Sequence, residues 1–248
     1  MVDVPVSEST LADFLMRPNV QTYFQPIVHL GSRLTLGFEA LSRFPQGTGP
    51  VTWIEAARRY GRIIELDHLL FVSGVRSFFA SRLPGVVFVN VEAAHLSAVG
   101  SWLQDLQEQG VLPPEGRRRL VFEVTEREPS PLEGWQEAGR AARRRGFFLS
   151  LDDAQPKLSF ARHLRRLRPQ FVKLDRTVLV ALLRDPERGE RHLRRWLAYA
   201  QRQEATLIAE GVEDLEQGAF LLRSGVHFAQ GYALGRPAPP ESWVVGRR

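Results

Sequence analysis

Glu39, Asn90, Glu123, Asp152 with Asp153, Lys173, Glu210 and Gln230 all lie at or near the ends of apolar, strand-like runs. Groups so placed could meet in one site, because a parallel barrel builds its site at the carboxyl ends of its strands. Five carboxylates in one cavity cannot all remain bare anions, since like charges a few ångströms apart force protonation. Metal cations are the natural compensation. The chain has no cysteine, so the ligands would be oxygens and the ion a hard one, Mg²⁺ or Mn²⁺. Two such ions, about 3.5 to 4 Å apart, would stabilise both the attacking and the leaving oxygen in phosphoester hydrolysis and would explain the number of acids.

Singly, these residues have plainer readings. Asn90, Asp152 or Asp153 could cap a following helix, and Glu210 with Glu213 could be first-turn acids favoured by the helix dipole. Caps alone account poorly for so many polar groups at successive strand ends. Lys173 adds a separate argument: Lys157 and Lys173 are the only lysines among 33 basic residues. Alternating with Asp175 on one face of a strand, Lys173 suggests a need for a compact ammonium. The sequence contains no Walker or Rossmann glycine loop, no His-Glu-x-x-His and no Gly-x-Ser-x-Gly. The six histidines are scattered and read as structural or exposed.

The elements that must position these residues follow from hydrophobic periodicity. Leu11, Phe14 and Leu15 behind Ser9 and Thr10 predict a short capped helix. Val20 to Leu30 and Leu34 to Phe44 are strand-like and separated only by Gly31, Ser32 and Arg33, which makes an antiparallel hairpin because a parallel crossover needs many more residues. Trp53 to Leu83 is helical with a break near Gly61. Strands over Val86 to Val91, Leu120 to Thr125, Phe147 to Leu151, Phe171 to Leu174, Thr206 to Ala209 and Phe228 to Leu234 then alternate with helices over Leu96 to Gln109, Leu132 to Arg145, Phe160 to Leu167, Thr177 to Arg202 and Leu215 to Arg223. This rhythm predicts an α/β fold, a single (β/α)₈ barrel with its first strand antiparallel. The expected boundaries are a capping segment over 1–18, the barrel over 19–240 and a tail over 241–248.

At 248 residues and 44% hydrophobic content the chain suits one such domain. No run of 18 or more apolar residues and no signal-peptide pattern is evident, so a cytoplasmic protein is expected. The net charge of +5 is almost entirely arginine. The runs Arg117 to Arg119, Arg143 to Arg145 and Arg162 to Arg166 could bind nucleic acid, but each is short and lacks interleaved aromatics. They read as solvated faces. Neither DNA nor a membrane is expected as a partner, and homodimerisation is left open.

Nearly the whole chain resembles the EAL domain family, which hydrolyses cyclic di-GMP to the linear dinucleotide. The motifs are Tyr23-Phe24-Gln25-Pro26, Glu39-Ala40-Leu41 with Arg43, Phe88-Val89-Asn90, Phe122-Glu123-Val124-Thr125-Glu126, Asp152-Asp153, Val172-Lys173-Leu174-Asp175, Ala209-Glu210-Gly211-Val212-Glu213 and Gln230-Gly231-Tyr232. The resemblance implies that Glu39, Asn90, Glu123, Asp152 and Asp153 ligate metal and that Lys173 and Glu210 position or activate water. It also implies that Gln25, Leu41, Arg43 and Gln230 line the dinucleotide, and that Glu126 braces the loop after the fifth strand. That loop departs from the family's Asp-Asp-Phe-Gly-Thr-Gly-Tyr-Ser-Ser: here Ala154, Gln155, Pro156 and Lys157 replace both glycines and the aromatic. A stiffened loop implies a slow enzyme or, alternatively, a receptor of the same fold that binds without cleaving; a protein-interaction module with a vestigial pocket would have lost several ligands.

Overall fold

The computed structural model describes residues 5–45, 48–125, 132–154 and 164–244. Its strands are β1 Gln21–His29, β2 Thr35–Arg43, β3 Val86–Asn90, β4 Leu120–Thr125, β5 Phe148–Ala154, β6 Phe171–Leu174, β7 Thr206–Ala209 and β8 Phe228–Ala229. They close in that order into one barrel, with β1 antiparallel to both β2 and β8 and every other pair parallel. The hairpin link is tight enough to hold Arg33 at φ 61.

Outside the barrel lie α1 Glu8–Met16, α2 Pro50–Arg59, α3 Ile63–Ala80, α4 Val99–Glu108, α5 Leu132–Arg145, α6 Arg176–Arg184, α7 Pro186–Arg202 and α8 Leu215–Arg223. Local chemistry sets their ends. Ser7 caps α1 by accepting from the Thr10 N–H, Asp175 caps α6 through Thr177 and Asp214 caps α8 through Gln217. Gly61, at φ 68, breaks the long helical stretch between α2 and α3.

Three boundaries differ from the periodicity. The stretch expected as one helix from Thr177 to Arg202 is two, because the chain leaves helical geometry at Asp185 and Pro186 restarts it at a first-turn position where proline is tolerated. The last strand ends at Ala229 rather than Leu234, since Gly231 passes directly against the Val212 backbone, where a Cβ would overlap it. Finally, β5 continues past Leu151 to Ala154, which pairs with Leu174 of β6.

Side-chain alternation sorts the strands into two surfaces. Val87, Val89, Phe122, Leu149, Leu151, Val172 and Leu207 point outward into the layer shared with the helices, where Phe122 stacks on Phe71 at 5.6 Å and meets Phe147 edge-on at 4.5 Å. Ile27, Phe88, Val121 and Ile208 form a separate apolar floor inside the barrel, against Phe148, Phe171 and Phe228. The β1–β8 seam has only two residue pairs, and the chain reinforces it with the Phe24–Ala238 bridge and a 2.9 Å hydrogen bond from Trp243 Nε1 to the Phe24 carbonyl. Phe122→Ala removes the ring that ties β4 to α3 and should destabilise the protein by about 3 to 5 kcal/mol. Urea unfolding would measure this, and a change below about 1 kcal/mol would show that the helices do not depend on that layer.

Candidate active site

Two residues beyond each floor residue, on the same interior face, stands a polar side chain. Asn90 follows Phe88, Glu123 follows Val121, Lys173 follows Phe171, Glu210 follows Ile208 and Gln230 follows Phe228, while Asp152 and Ser150 succeed Phe148 in β5. Because β1 runs the other way, Gln25 precedes Ile27 and still reaches the same level, opposite Glu39 of β2. Two strand residues lift these groups about 6.6 Å above the apolar floor.

Lys173, 1% exposed, is the centre of this layer. Its Nζ lies 2.7 Å from Glu210 Oε1, 3.1 Å from Glu123 Oε1, 3.2 Å from Glu39 Oε2 and 3.5 Å from Asp152 Oδ1. Four strands therefore deliver one carboxyl group each to a single ammonium. Gln230 Nε2 donates to both Glu39 Oε2 and Gln25 Oε1, and Asn90 closes the adjoining strand β3.

Burial would push the Lys173 ammonium down, but Asp152, Glu123, Glu210 and Glu39 together hold it well above the usual lysine range. Burial likewise works against ionised Glu39, yet Lys173 and the amides of Gln230 and Asn90 keep its carboxyl below its ordinary value. Glu123 goes the other way: burial and the neighbouring carboxylates outweigh Lys173 and raise it well above the carboxylate range. Glu210 is pushed up to about 7, again chiefly by burial. One ammonium is thus too little positive charge for four carboxyl groups.

Unsatisfied oxygens point the same way. Neither oxygen of Glu123 receives a hydrogen bond, although Oε1 is within ion-pair distance of the ammonium; Asp152 Oδ1, likewise in ion-pair range of it, and Gln230 Oε1 and Ser150 Oγ are also buried without a hydrogen bond. Among the described residues no three acidic or imidazole groups are already arranged round a common ion position, because the Lys173 ammonium fills the middle. The donor chemistry itself, all oxygen and short of positive charge, fits a hard divalent cation.

Two cavities flank this floor. One, of about 280 Å³, is lined by Arg43, Asn90 and Glu123 together with α2 and α3. The other, of about 310 Å³, is lined by Gln25, Glu39, Glu210, Gln230 and Tyr232. Leu41 borders both, so it separates Arg43 from Gln25 and Gln230. Arg43 is half-buried, its guanidinium 5.1 Å from the Tyr23 ring centroid. Glu126, the Asp153 side chain and the loop from Gln155 through Lys157 lie outside the described residues.

Sequence reasoning missed a second buried network. Asp67 Oδ2 accepts from the Glu92 N–H at 3.1 Å and lies 2.8 Å from His95 Nδ1, so α3 pins the segment that follows Asn90. The signal available was an aspartate inside the apolar helix around Leu66 and Phe71. It also missed the exposed 2.6 Å pair Arg176–Glu213 at the rim of the second cavity.

A closed eight-stranded barrel whose acids, amides and lysine gather at the carboxyl ends of the strands belongs to the (β/α)₈ class with a polar site at its mouth. Within that class the chain belongs to the EAL domain family, whose sequence profile matches residues 8–237. It is 28% identical over 241 residues to "Probable cyclic di-GMP phosphodiesterase PdeD" of Escherichia coli (strain K12), covering 94% of this chain and 44% of that protein. It is 29% identical to "Cyclic di-GMP phosphodiesterase NbdA" of Pseudomonas aeruginosa, covering 94% and 30%. The chain thus spans half or less of these curated relatives. Among solved structures, the PaMucR phosphodiesterase in complex with c-di-GMP aligns at TM-score 0.81 and 25% identity, covering 94% of this chain and 98% of that one. The manganese/cy-diGMP complex of Klebsiella pneumoniae BlrP1 aligns at TM-score 0.76 and 26% identity, covering 89% and 57%.

Lys173→Met keeps the volume and removes the charge. In metal-free buffer it should destabilise the protein by about 3 to 5 kcal/mol, since the buried carboxyl groups lose their counter-charge. Denaturant unfolding reads the difference; stability within about 0.5 kcal/mol of the parent would show that the cluster does not depend on the ammonium.

Proposed function

We propose that this chain is a divalent-metal-dependent phosphodiesterase that opens cyclic di-GMP to the linear dinucleotide pGpG. The observation that supports it best is the set of four carboxyl groups round Lys173, too acidic for one ammonium and lying between two cavities. Glu39, Asn90, Glu123, Asp152 and Asp153 would hold Mg²⁺ or Mn²⁺, two ions in the fullest reading, and a metal held there would supply Lewis-acid charge and a more acidic water.

The chain's own residues do the rest. Glu210, held at about 7 and 2.7 Å from Lys173, can take up a proton from a neighbouring water near neutral pH, and Lys173 offsets the charge that builds beside it. Arg43 offers a guanidinium fork to a phosphate. Gln25, Leu41 and Gln230 line the walls that orient the dinucleotide, and Glu126 is assigned the loop-bracing role by its match to the family motif. That loop sets the rate: Pro156 and Lys157 stand where the family has small flexible residues, and a ligand misplaced by about 1 Å loses on the order of a hundredfold in rate. The enzyme is therefore slow and either needs millimolar Mg²⁺ or prefers Mn²⁺.

Incubation with cyclic di-GMP and Mg²⁺ or Mn²⁺ should yield linear product, and EDTA or Glu39→Ala should abolish it. Arg43→Ala should weaken binding about ten- to a hundredfold, a loss of about 1.5 to 3 kcal/mol for a charge-assisted phosphate contact. Unchanged affinity by calorimetry would remove Arg43 from the site. Binding without cleavage, by the parent and by the loop variant below, would make the chain a receptor.

Replacing residues 154–157 by Phe-Gly-Thr-Gly should raise turnover and tighten metal binding. No gain in either quantity would show that the native loop is already competent.

A further inference from the structure

Between Ala138 and Arg202 the chain carries 17 basic and 6 acidic side chains, a net of +11; the remaining residues carry 16 and 22, a net of −6. Folding concentrates this asymmetry. Gly139 of α5 lies directly against the Leu167 carbonyl, where a Cβ would overlap it, so α5 and the helical residues 164–167 pack backbone to backbone. That contact sets Arg140 and Arg143 beside Arg166 and Arg168, while Arg144 and Arg145 continue the same turn of α5, the Arg145 guanidinium lying over Gly100 of α4; all six are exposed.

Cross-links confirm the proximity. Arg143 Nη1 donates to the Leu167 carbonyl at 3.4 Å, and Arg166 Nη1 donates to Gln136 Oε1 at 2.9 Å. Burial, then the charges of Arg168 and Arg140, hold the Arg143 guanidinium below its usual range, as expected for like charges within reach of one another. None of these six arginines forms an ion pair with a described carboxylate.

The chemistry of the face narrows its partner. Among the described residues, none of the exposed large apolar side chains falls in either segment. A membrane interface needs an apolar face to insert, a protein interface needs aromatic or apolar anchors, and a single strand needs rings on which bases stack. A bare array of planar guanidinium forks matches phosphate oxygens. We propose that this arginine face, formed by the end of α5 and the segment leading into β6, docks the phosphate backbone of double-stranded nucleic acid without regard to sequence. Arg143 to Arg145 precede the start of β5, and Arg166 and Arg168 precede that of β6, so the face lies at the amino-terminal end of the barrel, away from the carboxylate mouth.

The test is fluorescence anisotropy of a labelled mixed-sequence duplex of about 20 base pairs, titrated with the full chain at about 50 and 200 mM salt. The expected dissociation constant is on the order of 10⁻⁶ to 10⁻⁴ M, with a log–log salt slope of about −4 to −5 for about five phosphates contacted. The triple variant Arg143→Glu, Arg144→Glu, Arg166→Glu should lose at least about tenfold in affinity and flatten that slope while keeping its circular dichroism. Arg144→Gln with Arg166→Gln, which adds no new charge, guards against misfolding and should show a smaller loss of the same sign. Four results would overturn the proposal: no duplex binding at the lower salt, parental binding by both variants, tighter binding of a single strand of equal length, or binding of phosphatidylglycerol vesicles without binding of the duplex.

Discussion

A buried ammonium shared by four carboxyl groups is the constraint on which the rest of this structure depends. Lys173 meets Glu39, Glu123, Asp152 and Glu210 from β2, β4, β5 and the end of β7, so its position couples strands that are not neighbours in the barrel. In a medium where each unpaired charge would cost several kcal/mol, such a cluster holds only while its members remain in register. The same cluster is receptive to cations: burial, and then the neighbouring carboxylates, raise the Glu123 carboxyl well above its usual range and Glu210 to about 7, and one ammonium does not offset them.

Strand parity converts that cluster into a site. A one-residue slip in any strand would turn its polar group outward and its outer valine or leucine inward, which the apolar floor of Ile27, Phe88, Val121 and Ile208 forbids. The reversed first strand fits this scheme. It lets Gln25 enter the polar layer from the opposite chain direction and join Gln230 and Glu39 across the seam. The short β8 leaves room there for the C-terminal segment, with Gln25 Nε2 donating to the Gly235 carbonyl.

Charge is partitioned over the molecule as sharply as polarity is within the barrel. The acids needed at the mouth sit at strand ends, while most of the described arginines, Arg43 at the mouth excepted, lie on exposed helical and loop positions outside. An overall positive field raises the local concentration of anions, and the acidic mouth raises that of cations.

Much of this was legible in the sequence. Periodicity marks the alternating strands and helices, the three-residue link at Gly31 to Arg33 dictates the antiparallel start, and polar residues two positions beyond apolar ones announce a polar layer above an apolar one, because these are short-range consequences of backbone geometry. Other features depended on which segments meet in space. The extension of β5 past Leu151 came from its pairing with β6, whereas the helix break at Asp185 is a local stop, marked by Pro186, that apolar spacing alone does not record. Asp67 and His95 form one network only because α3 packs beside the segment after β3. Arginine runs that are short and separate along the chain become one face because Gly139 admits the backbone at Leu167. Sequence alone determined the residue types and their parity along each strand. Tertiary structure decided that four acids share one lysine, since that depends on closing the barrel and bringing side chains from 21 to 134 residues away along the chain to 2.7–3.5 Å from one ammonium.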